Sequence, residues 1–273
     1  MSLEIIEERG LVLLGCGKMG SAMLEGWLAR GVAPGSVWVI DPYPSARLEA
    51  LQAAGLHLNA ALPADPAVCI LAVKPQMMSD ALPQISDIAR GGTLFISIAA
   101  GTSIGYFESI LGRKSAIVRA MPNTPAAVGR GITALVGNGA ADASALDLAE
   151  ELLRAIGQTV RVEDEGQMDA VTAVSGSGPA YVFHLIEALA MAGEAEGLPE
   201  DLAMRLARAT VGGAGELAER AEETPEQLRV NVTSKGGTTA AALDVLMDRE
   251  TGFVPLMRRA VKAAANRSRE LGE

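Results

Sequence analysis

The segment Leu11-Val12-Leu13-Leu14-Gly15-Cys16-Gly17-Lys18-Met19-Gly20-Ser21-Ala22-Met23 sets the tightest limit on what this chain can become. Four apolar residues of strand character run into Gly-x-Gly-x-x-Gly, and a helical pattern follows at once. A parallel α/β sheet that binds a dinucleotide needs this order at its first strand. Gly15 allows the tight turn, Gly17 lets a pyrophosphate approach the backbone, and Gly20 lets the helix pack on the strand. Cys16, Lys18 and Met19 complete the loop expected to line such a cofactor.

The chain as far as Val162 extends the same architecture. Short β-branched runs at 11–14, 37–40, 68–73, 93–98, 116–119, 132–136 and 159–162 alternate with helical spacing at 21–30, 45–54, 103–111 and 143–156, which predicts a parallel sheet covered by helices. After Glu163 the β-branched runs stop. Helices are predicted at about 167–174, 179–196, 199–221, 225–232, 239–247 and 254–271, so the fold class is α/β with an all-helical second domain. The predicted division is residues 1–163 and 164–273. Residues 180–195 are apolar nearly all round, and a helix of that kind needs cover on several sides. In so small a domain part of that cover is expected from a second subunit, the other arrangement being a central helix in a monomeric bundle.

Composition narrows the partners. A net charge of -10 with no compensating Lys/Arg run argues against nucleic acid and anionic membrane, and points to a small-molecule ligand. The apolar run 180–195 carries His184, Glu187 and Glu194 and is shorter than the roughly 20 apolar residues of a membrane span. Cys16 and Cys69 alone make neither a disulfide framework nor a metal cluster, as expected in a reducing cytoplasm. The acidic start, with Glu4, Glu7 and Glu8, does not read as a targeting segment. His57 and His184 lack paired ligands and read as structural.

Ligands of such sheets sit at the C-terminal ends of the strands. Asp41 follows the second strand, about 20 residues beyond Gly20, where a carboxylate hydrogen-bonds the ribose hydroxyls of NAD; its other reading is a turn former in Asp41-Pro42. A 2′-phosphate would meet like charge there. This favours NADH over NADPH unless Arg47 reaches across to neutralise the phosphate. Ala72-Val73-Lys74-Pro75 and Ala100 lie at the ends of the third and fourth strands, with Lys74 either near the pyrophosphate or a solvated loop lysine. The stiff turn Pro122-Asn123-Thr124-Pro125 is either a carboxamide-recognising loop or a rigid connector.

The late segment 230–239 has a different chemistry. Gly236 and Gly237 let a ligand approach the backbone, and the helix start that follows offers free N–H groups with the hydroxyls of Thr238 and Thr239, a pocket suited to a small carboxylate. The alternative is a Gly-rich turn with a threonine N-cap.

The motifs 14–20, 72–75, 97–101, 119–125, Ser-Gly-Ser-Gly-Pro-Ala-Tyr at 175–181 and Thr-Ser-Lys-Gly-Gly-Thr-Thr at 233–239 occur in the order of the pyrroline-5-carboxylate reductases, which this chain resembles over nearly its whole length. The resemblance implies reduction of the cyclic imine 1-pyrroline-5-carboxylate to L-proline by NADPH or NADH, the last step of proline biosynthesis. It implies a Rossmann domain, a helical domain that interlocks in a homodimer with the active site between cofactor domain and dimer interface, and association commonly as a pentamer of dimers. By position in the family pattern, Gly237 and Thr238 would hold the substrate carboxylate through backbone N–H groups, and the Thr239 hydroxyl would bond the ring nitrogen. Asn231 would meet the nicotinamide end, Asn59 the adenosine portion, and Glu165 the bound amino acid. Two positions depart from the family: Lys235 stands where proline is more usual, and Asp41 where an acid is usually absent. The rivals are a β-hydroxyacid-dehydrogenase-like reductase, whose helix-borne catalytic lysine has no strong counterpart here, and a non-catalytic dinucleotide sensor.

Overall fold

The computed structural model describes residues 4–272. Two compact units are present: residues up to 176 together with those from 265 onward, and Ser177–Ala264.

In the first unit eight strands form one sheet in the order β3-β2-β1-β4-β5-β6-β7-β8. They are β1 Leu11–Leu14, β2 Val37–Ile40, β3 His57–Leu58, β4 Val68–Leu71, β5 Leu94–Ser97, β6 Ala116–Met121, β7 Gly131–Gly137 and β8 Gly157–Arg161. The helices are α1 Glu4–Arg9, α2 Lys18–Ala29, α3 Ala46–Ala53, α4 Met78–Ala81, α5 Ile104–Leu111, α6 Ala143–Leu153 and α7 Met168–Val171. Strands β1, β4 and β5 are buried along their whole length, which is why their sequences read as unbroken apolar runs. Alternate residues feed two separate cores. Leu11, Leu13, Ile70 and Ile96 join Met23 and Trp27 on one face, while Val12, Leu14, Leu71 and Phe95 join Phe107 on the other.

Helix α2 follows the glycine loop and is anchored far along the chain. The buried Trp27 indole N–H donates to Leu152 O at 2.9 Å, and Gly26 lies so close to Ala155 that a Cβ would overlap its carbonyl oxygen. Strand β7 is antiparallel to β6, with Met121 opposite Ala134, and β8 is parallel to β7, with Leu135 opposite Arg161. Leu135 is also opposite Ala120, so the chain leaves β8 level with the C-terminal half of β6. Residues 165–176 therefore pack on the first unit, with Met168 and Ala173 buried there. The unit is completed by the last residues of the chain, where Ser268 Oγ donates to Asp169 at 2.6 Å and Leu271 packs on Gly101.

The second unit holds α8 Gly178–Ala195, α9 Glu200–Arg220, α10 Pro225–Asn231, α11 Thr238–Leu246 and the first part of α12 Phe253–Gly272. Helices α8 and α9 form a hairpin that closes where Leu198 N donates to Gly193 O. Its buried apolar residues are alanines, Ala190, Ala203 and Ala207, with Ile186 and Met204 packed beside them. Phe183, Met191, Leu206 and Val245 are exposed. Among the described residues no helix is long and apolar enough to cross a membrane.

The six late helices form within two residues of their predicted starts, except that the first, predicted at 167–174, splits into the short α7 and a π-helical turn, Thr172–Gly176. By packing, the compact units divide at Gly176, because residues 165–176 follow the end of the sheet but still pack on it. The structure adds β3, α1 and the stretch of short helices from Pro75 to Arg90.

Candidate active site

The glycine loop has the shape its sequence requires. Gly15 has φ +88°, and a Cβ there would press on Val73 and the Ala72 carbonyl. A Cβ on Gly20 would overlap Gly15 O at 2.6 Å, so helix and turn are in backbone contact. Gly17 is the opposite case, since a Cβ there would find nothing within 4 Å. That open space lies at the N-terminus of α2, whose cap residue is Gly17 and which receives no side-chain cap. Room for a ligand and free N–H groups thus coincide, which fits a pyrophosphate. Ser21 Oγ donates to Cys16 O at 3.0 Å and closes the loop from behind. Burial raises the Cys16 thiol pKa, and the Asp41 and Glu25 carboxylates add to the rise against an opposing Ser21 hydrogen bond.

Asp41, Asn59, Ala72 to Pro75 and Ala100 follow the C-terminal ends of β2, β3, β4 and β5. Asp41 Oδ2 accepts from Cys16 N at 2.7 Å, and Oδ1 accepts from Tyr43 N at 2.8 Å. Asp41 is therefore both a turn former and a neighbour of the glycine loop; a carboxylate has about four lone-pair sites, so two remain for ribose hydroxyls. Asn59, at φ +50°, braces it: Asn59 Oδ1 accepts from Asp41 N at 2.9 Å, and Asn59 Nδ2 donates to Asp41 O at 2.8 Å. Ala72 N donates to Leu14 O, the Val73 side chain backs Gly15, Lys74 caps the 3-10 turn that begins at Pro75, and Ala100 follows β5 as an exposed residue.

Arg47 is engaged by Glu25. Its Nε and Nη2 donate to the two carboxylate oxygens of Glu25 at 2.6 and 2.9 Å. Asn123 is also occupied, with Nδ2 donating to Ser175 Oγ at 3.3 Å and Oδ1 accepting from Ile132 N at 3.0 Å. These two bonds tie the loop to β7 and to Ser175, as a rigid connector would. His57 stacks on Trp38 at 4.2 Å, and His184 pairs with Glu187 on the surface.

Glu165 is held inside the first unit. Its Oε1 accepts from Arg119 Nη1 at 2.8 Å and from the Ile104 backbone N–H at 2.8 Å, the first N–H of α5. The Arg119 side chain is 10% exposed, so Glu165 supplies the counter-charge of a buried guanidinium. Sequence spacing gave no sign of this pair.

In the second unit, Asn231 ends α10 and its Oδ1 accepts from Gln227 Nε2 at 2.8 Å. Thr233 Oγ1 donates to Arg229 O at 2.6 Å, Gly236 takes φ +71°, and the chain re-enters helix at Thr238. Gly237 occupies the cap position and no side chain caps the helix, which sets aside the threonine N-cap reading. The Gly237 N–H donates to Ser234 O at 3.0 Å and is already satisfied. The free donors are those of the first turn of α11, beginning with Thr238. Thr238 is exposed, Thr239 half-buried, and Lys235 exposed.

A sheet whose order begins 3-2-1-4-5-6 and carries this glycine turn, followed by a helical unit with an uncapped, hydroxyl-bearing helix start, is the architecture of a two-domain dinucleotide-binding protein. Comparison with known proteins specifies the family. Residues 165–271 match the model for pyrroline-5-carboxylate reductase dimerisation, and residues 11–101 match that for coenzyme F420-dependent NADP oxidoreductases. A pyrroline-5-carboxylate reductase of Synechocystis is 42% identical over 270 residues, covering 96% of this chain and 98% of its own. A solved pyrroline-5-carboxylate reductase from Coxiella burnetii superposes with TM-score 0.90 at 36% identity, covering 97% of this chain and 99% of its own. The Plasmodium falciparum pyrroline carboxylate reductase, solved with NADP bound, gives TM-score 0.82 at 30% identity, covering 98% and 99%. The chain belongs to the pyrroline-5-carboxylate reductase family.

Proposed function

We propose that the chain reduces 1-pyrroline-5-carboxylate to L-proline in the cytoplasm, as a homodimer formed through its C-terminal helices, and prefers NADH to NADPH. Family membership across 96% of the chain carries the reaction. The exposed apolar faces of α8 and α9 support the dimer, and a pentamer of dimers is the larger assembly the family resemblance implies. Two buried free cysteines suit a reducing compartment.

The dinucleotide supplies the hydride. The protein supplies position, because an iminium carbon already attracts hydride and needs no strong acid. The open space at Gly17 and the start of α2 take the pyrophosphate, with Lys74 at the same edge. The first-turn N–H groups of α11, from Thr238, take the substrate carboxylate, and the Thr239 hydroxyl bonds the ring nitrogen as it becomes an amine. By the family resemblance Asn231 would contact the nicotinamide end. By the same resemblance Glu165 would meet the bound amino acid, and its bonds to Arg119 and the Ile104 N–H fix the position of its carboxylate. Asp41 accepts from the ribose hydroxyls and repels a 2′-phosphate.

Steady-state proline formation by the purified chain with each cofactor tests this reading. NADH is expected to give the higher kcat/KM, Asp41→Ser to raise relative use of NADPH, and Thr239→Val to lower kcat about a hundredfold. A clear wild-type preference for NADPH would sink the Asp41 assignment. No turnover with either cofactor would leave a dinucleotide sensor.

A further inference from the structure

The adenosine end of the cofactor edge contains more charge than Asp41 alone. Arg47 lies in the first turn of α3, directly after the β2 turn, and is the cation a 2′-phosphate would need there. That cation is already engaged by Glu25 through both carboxylate oxygens, in the fork geometry that fixes a guanidinium's orientation. Glu25 projects from α2, the helix that starts at the glycine loop. The Arg47 hydrogen bond holds the Glu25 carboxyl below its ordinary range, and Glu25 in turn raises Arg47, so the pair stays ionised. The pair therefore links α2, which starts at the glycine loop, to α3, which follows the turn after β2.

We propose that Glu25 is a specificity-determining residue: by engaging Arg47 it withholds the guanidinium that would receive a 2′-phosphate, and so reinforces selection of the cofactor with a free 2′-hydroxyl. This role rests on the cofactor site proposed for the glycine loop and Asp41. Asp41 acts by repulsion at the ribose, and Glu25 by removing the counter-charge. The Arg47 and Glu25 side chains are 59% and 44% exposed, and an exposed pair is a modest restraint. The contribution of Glu25 is therefore graded rather than absolute. A phosphate can draw Arg47 away only by leaving Glu25 unpaired.

Calorimetric titration of the full chain with ADP and with 2′,5′-ADP isolates this end of the site from the chemistry. Glu25→Ala is expected to tighten 2′,5′-ADP relative to ADP by about threefold to fivefold, the range of one exposed ion pair. Adding Arg47→Gln to Glu25→Ala should abolish that gain. An unchanged affinity ratio in Glu25→Ala, or a gain that survives loss of Arg47, overturns the proposal. Wild-type protein that binds neither nucleotide overturns the cofactor site itself, whereas wild-type binding of ADP with an unmoved ratio overturns only the role of Glu25. Neither side chain is buried, and a circular dichroism spectrum matching wild type confirms that the variants fold.

Discussion

The two units solve burial in opposite ways. The first fills both faces of its sheet with Trp27, Phe95, Phe107, Leu13 and Ile70, all essentially inaccessible. The second encloses three alanines and leaves Phe183, Met191, Leu206 and Val245 in solvent. At roughly 25 cal/mol per Å² of apolar surface, side chains as small as alanine stabilise little. A family dimerisation region that keeps its large apolar residues outside relies on cover from another subunit.

Core substitution gives the largest contrast. Phe95→Ala should destabilise the first unit by about 3–5 kcal/mol, the range for emptying a buried aromatic site. Thermal melting at fixed concentration would measure it, and a loss under about 1 kcal/mol would contradict a self-sufficient core. Phe183→Asp, on an exposed face of α8, should act through assembly instead. Sedimentation should show smaller particles, and the melting temperature should depend more steeply on protein concentration than in wild type. If particle size and melting stay at wild-type values, that face of α8 is not the covered one. The smallest of the three effects is Glu165→Ala, which leaves Arg119 and the Ile104 N–H without their acceptor. With Glu165 partly exposed, the cost should be about 1–2 kcal/mol. Denaturant unfolding checks this, and Glu165→Gln should recover part of the loss because its carbonyl can still accept.

Sequence made the helical unit legible because punctuation and period agree there. Pro179, Pro199 and Pro225 mark or flank helix starts, and apolar spacing fills the helices between. The glycine loop was equally clear, since the roles of Gly15, Gly17 and Gly20 are steric and belong to those positions alone. Strand β3 was not, because two residues cannot display alternation. The reversal at β7 was hidden for another reason: a strand's period does not reveal its direction, and the connector through Asn123 fits either sense. The least legible features were polar partnerships between distant residues. Nothing in the spacing links Arg119 to Glu165 or Arg47 to Glu25. The use of the Gly237 N–H by Ser234 depends on the left-handed turn at Gly236, which sequence permits but does not require.

The anchoring of α2 also bears on how the chain is made. Trp27 finds its hydrogen-bond acceptor at Leu152, and the first unit gains Ser268 on Asp169 and Leu271 on Gly101 only from its final residues. During synthesis from the N-terminus, β1 and β2 emerge early and α2 can pack on them through Met23 and Trp27, yet the Trp27 indole N–H has no acceptor until residue 152 is free. Such long-range closures are entropically slow. Folding of the unit that begins first therefore finishes last, and the nascent chain must keep its apolar strands from wrong pairings until the closing helix arrives.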